Sequence, residues 1–130
     1  MKHDELLARV RDSGEYDTRE ETERVVRVVL AVLGVRLGGG EAEDLAAQVP
    51  DQVSGVLTVQ ADSGGVQVGI EDFLREVSRQ LGTASTEAAR WDASAVLTTL
   101  AEGITGGELN QLLSQLPSGY APLFDHPELT

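Results

Sequence analysis

The chain has no cysteine, few aromatic residues and few basic side chains. Its 130 residues include 22 Asp and Glu against 10 Lys and Arg, which gives a net charge of −12. The absence of cysteine excludes disulfides, thiolate zinc sites and a cysteine nucleophile. The acidic excess argues against nucleic acid and anionic membrane surfaces, because proteins bind both through Lys and Arg. We therefore expect neither a nucleic-acid partner nor a membrane partner.

Long apolar runs and histidines are also scarce. The longest run of apolar residues and glycine, 28–35, has eight residues, whereas a membrane-spanning helix needs about 20. The first residues mix charges and lack the apolar stretch of a secretory signal. The two histidines, His3 and His126, lie near the ends of the chain, which are usually loosely held. We expect no transition-metal site, no cofactor, no nucleophilic catalysis and a cytoplasmic location.

Internal self-similarity organises the sequence. The triplet Gly-Gly-Glu at 39–41 recurs 67 residues later at 106–108, and twelve of the 54 residue pairs are identical when 4–57 is aligned without gaps to 71–124. Such self-similarity is typical of a duplicated structural unit. We interpret the chain as a single domain made of repeat one (4–57), a linker (58–70) and repeat two (71–124).

Each repeat has the pattern of consecutive helices. In repeat one, Asp4–Arg11 predicts a first helix, and Thr18 with Glu21 predicts the capped start of a long second helix. Glycine is expected to end the long helix in both repeats, because it adopts the left-handed conformation that closes helices. Shorter third and fourth helices, Glu41–Gln48 and Asp51–Leu57, complete the unit. The predicted fold is all-α, with about four helices per repeat and a pseudo-twofold arrangement.

The linker is harder to interpret. Residues 56–68 alternate apolar and polar side chains around a glycine-rich centre, as two short strands do. An isolated hairpin is only marginally stable in water. We expect this linker to be extended or hairpin-like.

A family resemblance rests on the third helix of each repeat. Residues 39–50 read Gly-Gly-Glu-Ala-x-Asp-Leu-Ala-x-Gln-Val-Pro, and 106–117 echo them with Gly-Gly-Glu-Leu and Gln-Leu-Pro. This pattern resembles bacterial domain of unknown function 2267 over residues 4–124. The resemblance implies a small, all-helical, soluble bacterial protein, and it brings no activity and no catalytic residues with it.

The acidic residues suggest catalytic and metal-binding sites, but each has a simpler structural explanation. Glu41 and Glu108 follow Gly-Gly in both repeats and could form a catalytic carboxyl pair, but acids are ordinary stabilisers of a first helical turn. The acidic stretch 12–23 matches a calcium loop only at its ends. Phosphate binding at 38–40 is opposed by the acids that follow. We therefore assign no catalytic, cofactor-binding or metal-binding residues.

The two glutamines that precede the repeated prolines are also candidates. Gln48 and Gln115 could hydrogen-bond a partner. The simpler interpretation is that each amide pairs with local backbone left without a partner by Pro50 or Pro117.

The long helices of the two repeats differ, and this difference gives the main functional lead. Helix one carries a second apolar stripe formed by four valines, Val25, Val28, Val32 and Val35. Its equivalents in helix two are Asp92, Ala95, Thr99 and Glu102. The stripe fits either a central helix covered on all sides or a face that binds a partner. The only tryptophan, Trp91, fits either the core or an interface.

Two classes of function remain open. The first is a non-enzymatic helical interaction or scaffold module that binds a protein partner or associates with itself through the valine stripe and Trp91. The alternative is a protein that binds a small apolar ligand in a pocket between the two repeats. DNA binding through the Gly-Gly-Glu helices is the weakest hypothesis, because carboxylates would face the phosphates.

Overall fold

The computed structural model describes residues 1–37, 39–58, 69–83 and 85–124, and the regular secondary structure in these ranges is helical. The described helices are, in chain order, α1 His3–Gly14, α2 Arg19–Arg36, α3 Gly39–Ala46, α4 Asp51–Thr58, α5 Ile70–Leu81, α6 Thr86–Gly103, α7 Gly106–Ser114 and a 3₁₀ helix Ser118–Phe124. The prediction of an all-α protein is confirmed.

Hydroxyl side chains begin three of these helices. Thr18 caps α2 by accepting a hydrogen bond of 3.1 Å from the backbone N–H of Glu21, as the sequence predicts. Ser85 caps α6 in the same way. Thr105 caps α7 by accepting from the backbone N–H of Glu108 at 3.1 Å. Because such a cap contributes about 1 kcal/mol, these hydroxyls help to fix where the helices start.

A left-handed glycine does not close the two long helices, so this expectation is wrong. The residue that follows α2 is Leu37, with φ −95° and ψ 147°, and the residue that follows α6 is Ile104, with φ −118° and ψ 164°. Both end residues are extended rather than left-handed. The Gly-Gly pairs form the first turns of α3 and α7 instead. The Leu37 side chain is fully buried, so an apolar contact anchors the turn after α2.

The helices of the second half follow those of the first at a constant spacing. Helices α5 and α6 begin and end 67 residues after α1 and α2. Helix α1 packs against α6, and α5 packs against α2, so each first helix contacts the long helix of the other half. These contacts agree with a duplicated unit, whereas packing about a pseudo-twofold axis stays a prediction.

The end of each half departs from the simple repeat. Residues 51–58 form the α-helix α4, but the equivalent 118–124 form a 3₁₀ helix that contains Pro122. Proline lacks the N–H that an α-helix would need there. Residues 56–58 are helical and not extended. Of the predicted linker 58–70, Ile70 already belongs to α5, and 59–68 lie outside the described residues.

Helix α2 lies at the centre of the molecule. It packs against α1, α4, α5 and α6. The approach to α4 is closest at Gly34, where an added Cβ would lie 2.3 Å from the backbone oxygen of Leu57. Only glycine permits this contact, which fixes α4 against the middle of the fold.

The N-terminal histidine is held in place. His3 is buried in α1, and its Nε2 atom lies 3.2 Å from Oε1 of Glu23. The expectation of a loosely held end is therefore wrong for His3, whereas His126 lies outside the described residues.

Candidate functional site

The valine stripe of α2 is mostly covered within the chain. Val25 and Val32 are buried, whereas Val28 and Val35 are partly exposed. Helix α2 therefore has the environment of a central helix. Only the two partly exposed valines remain at the surface for contact with another molecule.

The matching face of α6 is polar, and it is buried except at Glu102. Asp92 and Thr99 are 8% and 2% exposed, and the Tyr16 hydroxyl donates to Oδ1 of Asp92 at 2.6 Å. Burial raises the pKa of Asp92, and the hydrogen bond from Tyr16 partly offsets this effect. Helix α6 packs against α1, which is consistent with the burial of Asp92 and Thr99.

Trp91 lies at the surface but has a structural contact. Its side chain is 52% exposed, and its Nε1 donates to the backbone oxygen of Gly14 at the end of α1, at 3.0 Å. Arg24, its equivalent in the first half, donates to the backbone oxygens of Gln80 and Leu81 at the end of α5. Both side chains therefore satisfy terminal carbonyl groups of a helix from the other half.

A cavity opens where helices of the two halves meet. It has a volume of about 250 Å³ and lies between α2, α4 and α5. Its lining residues are Ala31, Val32, Val35, Arg36, Val56, Glu76 and Gln80. Four of these residues are aliphatic and three are polar. Gln80 is exposed, so the cavity borders solvent.

The two halves fill this region differently. Arg9 of α1 forms an ion pair with Glu102 of α6 at 2.7 Å. The position equivalent to Arg9 in the second half is Glu76, and the position equivalent to Glu102 in the first half is Val35. Glutamate and valine cannot form an ion pair. Both of these residues line the cavity. No ion pair between these two positions therefore joins α2 and α5 beside the cavity.

Arg36 supplies a buried cation to the cavity. Its Nη1 donates to the backbone oxygen of Val32 at 3.3 Å, and its guanidinium lies 5.9 Å from the centre of the Phe73 ring. A hydrogen bond from Arg36 also acts on the Tyr120 hydroxyl, whose pKa is nevertheless raised by burial. The Nε atom of Arg36 is buried without a hydrogen-bond partner among the described residues. It is an unused donor.

Glu76 is the opposing charge of the cavity. Hydrogen bonds from Arg79 and Gln80 lower the pKa of Glu76 to about 2. The carboxylate is therefore ionised near neutral pH and already has donors. Among the residues that line the cavity, Arg36 is the cation and Glu76 is an anion that already has its donors.

Three carboxyl groups come together where α3 meets α7. Glu41 and Glu108, in the first turns of these helices, are 4% and 7% exposed, and Asp44 is exposed. One carboxylate oxygen from each of the three lies within 4.8 Å of the others. We call Glu41, Asp44 and Glu108 the carboxyl cluster. These are the described residues whose geometry suits a cation.

The electrostatics of the cluster are unfavourable for three ionised groups. Burial raises the pKa of Glu41 to about 7, and the nearby charges of Glu108 and Asp44 act in the same direction. When both glutamates are ionised, neither can donate to the other. Sequence reasoning placed both acids at helix starts and missed their burial, because their contact joins residues far apart in the chain.

Gln48 connects the two halves beside the cluster. Its Oε1 accepts a hydrogen bond of 3.0 Å from the backbone N–H of Thr105, the residue that caps α7. The interpretation of Gln48 as a local backbone cap is therefore wrong. Gln115 also has a bonding partner within the chain. The recurrence of glutamine at this position in both repeats could have indicated a contact between the two halves.

Among the described residues, the helices are too short or too polar to cross a membrane.

Comparison with other proteins places the chain in a family. A search of curated proteins finds no match. A family model described as "Uncharacterized conserved protein (DUF2267)" matches residues 3–123. Because that match spans nearly the whole sequence, the chain belongs to the DUF2267 family.

Proposed function

We propose that the protein is a non-enzymatic helical module that binds a small amphipathic ligand in the cavity between its two halves. The observation that carries this proposal is that one cavity is lined both by aliphatic side chains and by the cationic side chain of Arg36. Ligand sites are typically apolar pockets with a few well-placed polar groups. The volume of about 250 Å³ is slightly below the usual range of roughly 300–1,000 Å³, which favours a short ligand.

The polar groups select the chemistry of the ligand. The aliphatic residues suit a short hydrocarbon chain. The guanidinium of Arg36 carries a positive charge at the cavity, whereas the carboxylate of Glu76 already accepts from Arg79 and Gln80. A short carboxylic acid therefore fits better than an alcohol, and an alcohol fits better than an amine.

Ligand-observed NMR with hexanoate, hexanol and hexylamine tests this proposal. We expect saturation transfer to be strongest for hexanoate and weakest for hexylamine. Ala31→Phe places a ring in the cavity and should abolish the hexanoate signal. Ala101→Phe is the matched control, because Ala101 is also partly buried on a long helix but does not line the cavity.

Specific outcomes would contradict the proposal. Equal binding of hexanoate to wild type and Ala31→Phe would place the ligand elsewhere. Preference for hexylamine would show that Glu76, and not Arg36, selects the polar end. No signal from any of the three probes would remove the ligand function itself.

Self-association is the second candidate function, and the exposed Trp91 favours it. Trp91 is the one large hydrophobic side chain exposed in the described chain, and exposed tryptophans often anchor interfaces. Val28 and Val35 are the partly exposed members of the valine stripe that we include in this candidate. The double variant Val28→Lys, Trp91→Arg tests the idea, because arginine at 91 can still donate to the end of α1 as Arg24 does for α5.

The readout for self-association is molar mass from sizing with light scattering. A dimer that becomes a monomer in the double variant would support this candidate. A monomer for wild type at 100 μM, or an unchanged mass in the folded variant, would contradict it.

We also propose the cellular setting. The absence of cysteine and the acidic charge of −12 support a soluble protein of the bacterial cytoplasm that binds neither nucleic acid nor membranes. Measurement of DNA binding at low salt would contradict this part if a salt-sensitive complex formed.

A further inference from the structure

We propose that the carboxyl cluster binds one hard divalent cation with the chemistry of Ca²⁺ or Mn²⁺. The three ligands would be Glu41, Asp44 and Glu108. This site is separate from the cavity, so the inference does not depend on the proposed ligand.

The first argument is that two buried carboxyl groups lack hydrogen-bond donors. Both carboxylate oxygens of Glu41 and Oε1 of Glu108 are buried without a hydrogen-bond partner among the described residues. Glu41 and Glu108 are 4% and 7% exposed. Burying an uncompensated carboxylate is costly, and proteins ordinarily pair such groups with a cation or with donors. These two side chains have oxygens available for a ligand that carries positive charge.

The second argument is that the surrounding chain offers no compensating charge. The sequence contains no Lys or Arg from 37 to 69 or from 91 to 130, so α3, α4, α7 and the 3₁₀ helix that packs on α7 carry no basic side chain. Arg36, just before this stretch, has its contacts at Val32 and Phe73. The ion pairs of the described chain do not include the cluster. A compensating cation would have to come from solution.

The third argument is that the geometry and the donor atoms select a class of ion. The three oxygens lie within 4.8 Å of one another. Two ligands on opposite sides of Ca²⁺ lie about 5 Å apart, because each Ca–O distance is about 2.3–2.6 Å. A donor set of oxygen alone favours Ca²⁺, Mg²⁺ or Mn²⁺ over softer metals. Mg²⁺ demands shorter and more regular coordination, so the larger ions fit better.

The surroundings also set the expected affinity. Asp44 is exposed, so water could reach the ion and complete its coordination. The starts of α3 and α7 carry partial positive charge that opposes a cation. We therefore expect a weak site, with a dissociation constant of about 10⁻⁴ M.

Calorimetric titration of EDTA-treated, dialysed protein with CaCl₂ and MnCl₂ tests the site. We expect one ion per chain, and a higher Tm in CaCl₂ than in NaCl of equal ionic strength. Glu108→Gln keeps the shape of the side chain and removes its charge, and it should weaken binding at least tenfold. Glu43→Gln is the matched control, because Glu43 is an exposed acid on α3 outside the cluster. The affinity of this variant for Ca²⁺ and Mn²⁺ should stay within twofold of wild type.

The exposed ligand provides a second variant that does not disturb the core. Asp44→Asn should also weaken binding at least tenfold, even if Glu108→Gln does not fold. Absence of both heat and a Tm shift up to 10 mM CaCl₂ and MnCl₂ would overturn the proposal. Equal losses in Glu43→Gln and Asp44→Asn would overturn it as well, because they would indicate general charge attraction only.

Discussion

Replacing Glu41 with glutamine should stabilise the metal-free protein at alkaline pH. Glutamine has nearly the same shape as glutamate but cannot ionise, so the variant avoids a buried charge beside Glu108. The folded chain holds the Glu41 proton more tightly than the unfolded chain, since burial raises the pKa to about 7 from an ordinary value of 4.5. Wild-type stability is therefore highest below pH 4.5 as far as this group is concerned, and it falls as pH rises to 7.

The size of the effect follows from this pKa difference. The full difference corresponds to about 3 kcal/mol of unfolding free energy. The exposed Asp44 brings solvent close to the cluster, and screening reduces the effect. We expect Glu41→Gln to exceed wild type by about 1–2 kcal/mol at pH 8 and to equal it at pH 4.5.

Urea unfolding followed by circular dichroism, with EDTA present, measures this difference at several pH values. At pH 8 a gain of this size should raise the urea midpoint by about 0.5–1 M. Glu43→Gln replaces an exposed acid on the same helix. The difference in unfolding free energy between this variant and wild type should change little with pH. If Glu41→Gln were equally or less stable than wild type at pH 8, our explanation of the cluster by burial would be refuted.

Two further substitutions test the packing between elements. Tyr16→Phe removes the donor to the buried Asp92 and should lower the unfolding free energy by about 1–3 kcal/mol; a change below 0.5 kcal/mol would show that water replaces the hydroxyl. Gly34→Ala forces a methyl group against the backbone of Leu57 and should cost about 1–3 kcal/mol. In the matched control, Gly55→Ala, the added methyl meets no neighbour, so stability should rise by up to about 1 kcal/mol. Urea midpoints measure each change, and equal effects of the two alanines would contradict the close approach.

The helices could be predicted from sequence because their signals are local. Thr18 and Glu21 specify the start of α2 within four residues, and the 67-residue recurrence predicts the same element in the second half. The ends of the long helices could not be predicted in this way. Leu37 stops α2 because its side chain enters the core, and a core position depends on residues far away in the chain.

The candidate sites were only partly predictable for the same reason. The recurrence singled out Glu41 and Glu108, but first-turn acids have a sufficient local explanation, and only the contact between α3 and α7 shows that both are buried. The cavity is lined by Glu76 and Val35, whereas the equivalent positions of the other half hold the ion pair of Arg9 and Glu102. Aligning the halves reveals that difference, but its meaning requires knowing which helices touch.

The packing of each first helix against the long helix of the other half affects how the chain reaches its folded state. Helix α1 rests on α6 and α5 rests on α2, so a half synthesised alone would leave apolar faces without cover. Separately produced halves should recombine into the native arrangement when mixed. Two full-length molecules that traded their C-terminal halves would form an intertwined dimer that keeps every one of these contacts, a route known as domain swapping.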